Sequence, residues 1–185
     1  VLLFALSEYT KMPEYQEKFG ATVFKITRDA QGSRLTHLKV TGGVLKARNL
    51  LTGHKQNKPE DIWEEKVNQI RIYSGEKYET KDEVEAGTIC AVTGLSYTYP
   101  GEGLGSQEES ELPILEPVLT YELILPDGVQ PQAMMPKLAM LEEEEPELHI
   151  VWNEELQEIK IQIMGEVQIE ILKALISDRF GAEVE

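Results

Sequence analysis

The sequence predicts two domains, an all-β barrel followed by an α+β domain, on three observations. Residues 19–112 hold about six short alternating stretches punctuated by Gly, Asn, Asp and Pro, with no helical period among them. Residues 113–185 instead read as strand, helix, strand, strand, helix, strand, the split βαβ or ferredoxin-like order. Within that half, Ile161-Gln-Ile-Met-Gly-Glu-Val-Gln-Ile-Glu170 ends a period of two and begins a period of 3.6, which is a strand running into a helix.

The elements follow in order. Leu2, Leu3 and Leu6 have the spacing of a helix end, and residues 11–18 form a polar linker. Residues 21–27 are β-branched and aromatic, as strands are. Asp29-Ala-Gln-Gly32 is a turn, and 35–40 is the return strand, with Leu35, His37 and Lys39 on one face and Thr36, Leu38 and Val40 on the other. Gly42 and Gly43 break it, and 44–48 is short and extended. Residues 53–61 are expected to be a loop, 66–73 a strand around Val67, Ile70 and Ile72, and 74–81 a polar connection. Residues 84–95 hold a glycine turn and then an apolar strand, and Tyr99 to Gly105 is a glycine-rich turn.

The second half begins with a strand over 118–125 and a turn at Pro126-Asp-Gly128. A helix follows and ends near Glu145-Pro146, with Pro131 and Pro136 clouding its start, since proline suits only the first helical turn. Strands at 148–152 and 159–163 flank a hairpin loop. The last helix runs from Glu166 to about Phe180, with Val167, Ile171, Leu175, Leu172, Ile176 and Phe180 as its apolar face and Gly181 as its cap. Ala182 opens a final strand. The expected boundaries are 1–18 for an upstream domain's end and linker, 19–112 for the barrel and 113–185 for the ferredoxin-like domain. The chain lacks an initiator Met and stops inside an apparent strand, so it is expected to be a piece of a longer protein, cut at both ends.

Charge is unevenly spread over the net −15. Residues 21–58 carry eight bases (Lys25, Arg28, Arg34, Lys39, Lys46, Arg48, Lys55 and Lys58) against one acid, Asp29. Residues 59–185 carry eight bases against twenty-nine acids. A basic segment on an acidic chain fits a local contact with a polyanion, and it equally fits the solvent-facing residues of strands and turns. One cysteine, Cys90, excludes an internal disulfide. No signal peptide or membrane-length apolar run is present, so a cytoplasmic setting is expected.

Much catalytic chemistry has no motif here. There is no Gly-x-x-x-x-Gly-Lys-Ser/Thr, so nothing cradles a nucleotide's phosphates. Asn57-Lys-Pro-Glu60 approximates a guanine-reading motif by chance, and Gly101-x-Gly-x-Gly105 lacks the spacing of a dinucleotide site. His37, His54 and His149 have no metal-ligand spacing, and no catalytic residue or metal site is expected. The run Glu142 to Glu145 reads as a solvated face at a helix end. Glu166 and Glu170 read as helix-start charges, which the helix dipole favours.

Five stretches in order resemble domains of the elongation factor G superfamily of translational GTPases. They are Phe19-Gly-Ala-Thr-Val-Phe-Lys-Ile26, Leu35-x-x-Leu-Lys-Val-Thr-Gly-Gly-Val44, Val84-Glu-Ala-Gly-Thr-Ile-Cys-Ala91, Glu116-Pro-Val118 and Gly165-Glu-Val-Gln-Ile-Glu170. The last is similar to the family's Gly-Glu-Leu-His-Leu-Glu and is its marker turn, carried here by Gly165, Glu166, Gln168 and Glu170. Gln168 in place of His, and Val44-Leu-Lys-Ala-Arg48 where factor G usually has Gly-Asp soon after, resemble the tetracycline-resistance ribosomal protection proteins. Asn49 departs from the acidic residue usual in the family.

The resemblance implies a barrel of the translation-factor domain II type, and a first dozen residues that end a GTPase domain. It implies a monomer that docks on small-subunit ribosomal RNA and protein, without membrane or DNA, and relays nucleotide state. GTP and Mg²⁺ would be held upstream, leaving this stretch without catalysis of its own. Arg28, Arg34, Lys39, Lys46 and Arg48 are the candidate RNA contacts. The other readings are a piece of elongation factor G itself, which translocates tRNA, and a stand-alone protein- or RNA-binding module.

Overall fold

The computed structural model describes residues 1–11, 13–56, 58–110 and 119–185. The boundary expected at 112/113, the Glu116-Pro-Val118 motif and Asn57 lie outside the described residues. The chain divides into two compact units, Val1–Phe24 with Arg34–Ser110 and Lys25–Ser33 with Glu111–Glu185. It opens with helix α1 (Leu2–Tyr9), none of whose residues is buried.

Ten short strands follow among the described residues. They are β1 (Gly20–Arg28), β2 (Arg34–Gly42), β3 (Val44–Lys46), β4 (Leu50–Lys55), β5 (Lys58–Lys66), β6 (Gln69–Ser74), β7 (Lys77–Lys81), β8 (Glu83–Glu85), β9 (Ile89–Thr93) and β10 (Gly103–Gly105). One sheet has the order β10-β1-β2-β9-β6-β7, and β3-β8 and β4-β5 form two-stranded ribbons. This is the all-β barrel the sequence predicts. Leu38, Val40, Leu45, Ile70, Val92, Leu95 and Leu104 are buried in it. The expected alternation of β2 is seen for Thr36, Leu38 and Val40, which are buried while Lys39 is exposed; Leu35 departs from it and is buried as well.

Four stretches of the barrel differ from expectation. The expected loop at 53–61 lies within a hairpin in which Leu50 pairs with Lys66 and Gly53 with Trp63. Its charged sequence hides the strand, because on β5 Trp63 is buried while Ile62 points outward. The polar connection at 74–81 contains β7, an edge strand exposed along its whole length. The glycine-rich turn contains β10, which pairs Gly105 with Gly20 at the edge of β1. Strand 66–73 is also interrupted at Val67 and Asn68, and it buries Ile70 with Arg71 instead of Ile70 with Ile72.

The second unit carries β11 (Leu119–Leu123), α2 (Pro131–Glu144), β12 (His149–Asn153), β13 (Glu158–Ile163) and α3 (Glu166–Phe180). The sheet order is β11-β13-β12, with Ile150 opposite Ile161 and Trp152 opposite Ile159. Ile159, Ile161 and Ile163 are buried with Met134, Leu138 and Leu141 of α2 and Leu172 and Ile176 of α3. Pro131 opens α2, and Pro136 is taken up inside it. The expected last strand appears as an alternation, Ala182 and Val184 buried, Glu183 and Glu185 exposed. Glu185 exchanges both backbone hydrogen bonds with Ile124, just past β11. That completes the ferredoxin-like order.

α3 corrects the sequence reading of its apolar face. Leu172 and Ile176 are buried, whereas Val167 is 72% and Ile171 54% exposed. Gly181 takes the left-handed conformation expected of a helix cap, with φ 65.

Two glycines separate packing from turn geometry. A Cβ on Gly53 would collide with a Glu102 carboxylate oxygen and the Trp63 ring, whereas one on Gly165 would meet open space. Gly53→Ala is therefore expected to cost about 1–3 kcal/mol by overpacking. Gly165→Ala is expected to cost under about 1 kcal/mol, the difference between a glycine and an alanine N-cap. Urea unfolding of both variants checks the contrast, and equal losses would refute it.

Candidate nucleic-acid interface

The five candidate cations fall into two kinds. Arg28, at the end of β1, is engaged within the second unit. Its Nη2 lies 2.8 Å from Glu143 Oε2, and its Nε lies 3.7 Å from Glu144 Oε1. Arg34, at the start of β2, donates to Leu95 O and Thr98 Oγ1, each at 2.9 Å, and to the Thr98 carbonyl. A guanidinium presents several donors in a fixed plane, so one side chain holds the whole 95–98 loop. Thr36 and Thr98 hydroxyls meet at 2.8 Å beneath it.

Lys39, Lys46 and Arg48 are exposed. Lys39 is on the outward side of β2, paired in register with Ile89. Lys46 ends β3 opposite Glu83, whose carboxylate lies 3.2 Å away. Both groups of that pair are more than half exposed, so it holds Lys46 weakly. Arg48 sits in the connection to β4 with φ 70. That left-handed conformation is costly for a residue with a Cβ, and glycine or asparagine adopts it more readily. The Arg48 backbone N–H is held by the Val67 carbonyl at 2.7 Å. The fold thus places these three within one short run, β2 to the turn after β3, and turns Arg28 and Arg34 toward the chain's own acceptors.

The marker turn is structural in this geometry. Gly165 is the N-cap of α3 with φ −174, an extended conformation open to any residue. Gln168 turns its side chain back, and its Oε1 accepts the Met164 N–H at 2.9 Å. That bond resembles a capping box, in which a side chain one turn into the helix satisfies a backbone donor ahead of it. Glu166 lies in the first turn, and both it and Glu170 are exposed.

The acidic run is paired, not merely solvated. Glu142 accepts the Ile150 N–H at 3.2 Å, Glu143 holds Arg28, and Glu145 lies 3.4 Å from Lys25. Buried Glu144 takes both arms of Arg179, at 2.7 and 3.1 Å, and that bond raises the pKa of Arg179. Three bases and a backbone donor thereby offset acids at a helix end whose dipole disfavours them.

Sequence reasoning missed Glu102. It is buried, and it accepts the Trp63 indole N–H at 3.1 Å and the Tyr99 backbone N–H at 3.3 Å. Burial dominates and pushes its carboxyl up to about 7; the bonds from Tyr99, Trp63 and the His54 backbone pull the other way. A lone carboxylate between two glycines, Gly101 and Gly103, was the available signal. Burial likewise pushes the Cys90 thiol up to about 12, as expected of an inert thiol. Among the described residues, no three His, Cys, Asp or Glu side chains come together to hold a metal, and no helix is long and apolar enough to cross a membrane.

The folded pKa of Glu102 lies above its unfolded value, so its contribution to stability is present at low pH and lost as pH rises through about 7. Raising pH from about 5 to about 8 is expected to remove on the order of 2–3 kcal/mol. Urea titrations followed by Trp63 fluorescence in a Trp152→Phe background read the effect, which Glu102→Gln abolishes. An unchanged pH slope in that variant would exclude Glu102 as its source.

Comparison with known proteins gives the fold its family. A family model described as elongation factor G domain 2 matches residues 18–107, and one described as Elongation Factor G, domain III matches residues 114–185. The chain is 29% identical over 180 residues to elongation factor G of Amoebophilus asiaticus, covering 94% of this chain and 24% of that protein. It is 30% identical over 183 residues to elongation factor G of Ureaplasma parvum serovar 3, covering 96% and 25%. It is 28% identical over 173 residues to tetracycline resistance protein TetP of Clostridium perfringens, covering 92% and 26%. It therefore spans about a quarter of the length of the curated relatives it matches. A crystal structure of ttk003000868 from Thermus thermophilus superposes with TM-score 0.77 and 24% identity, over 100% of this chain and 28% of that one, a likeness of fold alone. The chain belongs to the elongation factor G superfamily and carries that family's second and third domains, a β-barrel followed by a ferredoxin-like domain.

Proposed function

We propose that this chain is the middle part of a cytoplasmic, ribosome-binding translational GTPase whose barrel docks on small-subunit ribosomal RNA. The observation that carries the reading is the exposed run Lys39, Lys46 and Arg48, inside a segment with eight bases and one acid on a chain of net charge −15. Lys and Arg gain affinity for a phosphate backbone by releasing its counterions. Arg48 adds a second argument. A strained left-handed residue persists where its side chain is used, and this site would otherwise favour glycine. Arg28 and Arg34 shape the loops around them and make no phosphate contact in this reading.

GTP and its Mg²⁺ belong to a nucleotide domain outside these residues, because no phosphate-cradling motif exists in this sequence. The ferredoxin-like domain then serves as a relay, with no catalytic group of its own. Within the superfamily we favour a tetracycline-resistance ribosomal protection protein. Gln168 in the marker turn and the 28% identity to TetP support it, while identities of 29–30% to elongation factor G keep translocation as the second reading. Expression of the parent gene in a tetracycline-sensitive host separates the two: raised resistance supports protection, and unchanged resistance with factor G activity supports translocation.

Docking itself is tested on small ribosomal subunits. Replacing Lys39, Lys46 and Arg48 by Ala together is expected to weaken binding and to lower the slope of log K against log salt by roughly 2–3, near one unit per lost phosphate contact. Arg48→Gly alone is expected to weaken binding without loss of stability, since glycine relieves the strained φ. An unchanged slope in the folded triple variant would remove these cations from the interface.

A further inference from the structure

We propose that the exposed face of the six-stranded sheet is a stacking platform for unpaired RNA bases. The proposal rests on the docking reading above and adds a second kind of contact to it. Phe24 on β1, His37 on β2, Tyr73 on β6 and Tyr78 on β7 form a continuous line of rings across the sheet. Successive centroids lie 6.1, 6.2 and 5.3 Å apart, with tilts of 51°, 39° and 48°. All four belong to the first compact unit. Strand β9 lies between β2 and β6 and offers only Ala91 at that level, in register with both His37 and Arg71. The methyl group lets the His37 and Tyr73 rings meet above it.

A solvent-facing sheet surface is ordinarily polar, and large exposed rings in a row call for a partner. Here Phe24 is 45%, Tyr73 36% and Tyr78 47% exposed. The chemistry beside them selects the partner. Lys39 projects from the same side of β2 as His37, two residues along. The Arg71 guanidinium lies 4.5 Å from the centre of the Tyr78 ring, where it is buried, bonded to Gln69 Oε1, and backs the ring. Tyr78 pairs with Tyr73, whereas Glu79 pairs with Ile72, so the acid of β7 belongs to the opposite side of that hairpin. Rings beside an exposed lysine, on an otherwise acidic chain, suit a polyanion that offers flat faces. Single-stranded or splayed-out RNA offers both, while a duplex keeps its base faces stacked internally.

The test uses the 185-residue chain and a labelled 12-nucleotide RNA, as a single strand and as a duplex. The single strand is expected to bind at least about tenfold more tightly at low salt. Tyr78→Ala and Phe24→Ala are each expected to weaken that binding roughly 5- to 100-fold, the range for one lost stacking contact. Tyr78→Phe, which keeps the ring, should bind as the unaltered chain does. The two rings lie on different strands, so if one alanine variant fails to fold, the other decides. Folded alanine variants with unaltered affinity would overturn the platform, and so would equal binding of duplex and single strand. Capture of a small-subunit ribosomal protein by these rings, with no RNA bound, would overturn it as well. If ring variants keep full affinity while the Lys39, Lys46 and Arg48 triple variant loses subunit binding, docking stands and only the platform falls.

Discussion

A strand that buries Leu38 and Val40 has to expose Lys39. This period-two constraint governs the barrel, because every second residue of a strand faces the same way. The core therefore dictates the surface: once Thr36, Leu38 and Val40 point inward, His37 and Lys39 are outside. The same rule aligns Tyr73 with Tyr78 across the β6–β7 hairpin. A slip of one residue would bury lysine and expose the core, so the position of the outward cations and rings is as secure as the packing beneath them.

Hydrogen-bond partners also sort the ionisable groups. Arg34 and Arg179 lie against carbonyls, hydroxyls or carboxylates that match their donors, and they hold loops and helix ends together. Arg28 joins them through Glu143. Among the described residues no such cage holds Lys39 or Arg48, and Lys46 faces only the exposed carboxylate of Glu83. Charges of the first kind are matched donor to acceptor, and such paired hydrogen bonds fix geometry. Exposed charges of the second kind add little to stability and remain open to a polyanion. Glu102 is the exception among the acids. It is buried against Trp63 with no cation paired to it among the described residues, and it ties the β4–β5 hairpin to the loop before β10.

Sequence pattern reached the fold wherever one period dominated. The alternation at 159–163 and the order of elements after it are read off directly, as are β1, β2 and β9. Pattern failed where one buried residue anchors a charged strand, as Trp63 does in β5. It failed again at α3, where Val167 and Ile171 share spacing with Leu172 and Ile176, yet only the latter pair meets the sheet. Apolar residues all around a helix give no direction without knowledge of what covers it. The glycine-rich turn concealed both β10 and Glu102, since glycines signal a turn whether or not their neighbours are buried. Of the five candidate cations, the segment was legible from composition, but which guanidinium meets an internal acceptor depends on Leu95, Thr98, Glu143 and Glu144, far off in sequence.

The claim on which the functional reading turns is that the run from Lys39 to Arg48 faces ribosomal RNA. Tethered hydroxyl-radical probing from Asn49→Cys, with the chain bound to small ribosomal subunits, tests it most directly. Asn49 is exposed beside Arg48, and the one native thiol, Cys90, is buried and pushed up to about 12, so the probe attaches at a single place. Localised cleavage of the small-subunit RNA backbone is the expected result. A bound chain that yields no RNA cleavage from position 49, while a probe at the opposite end of the barrel does yield it, would contradict the assignment.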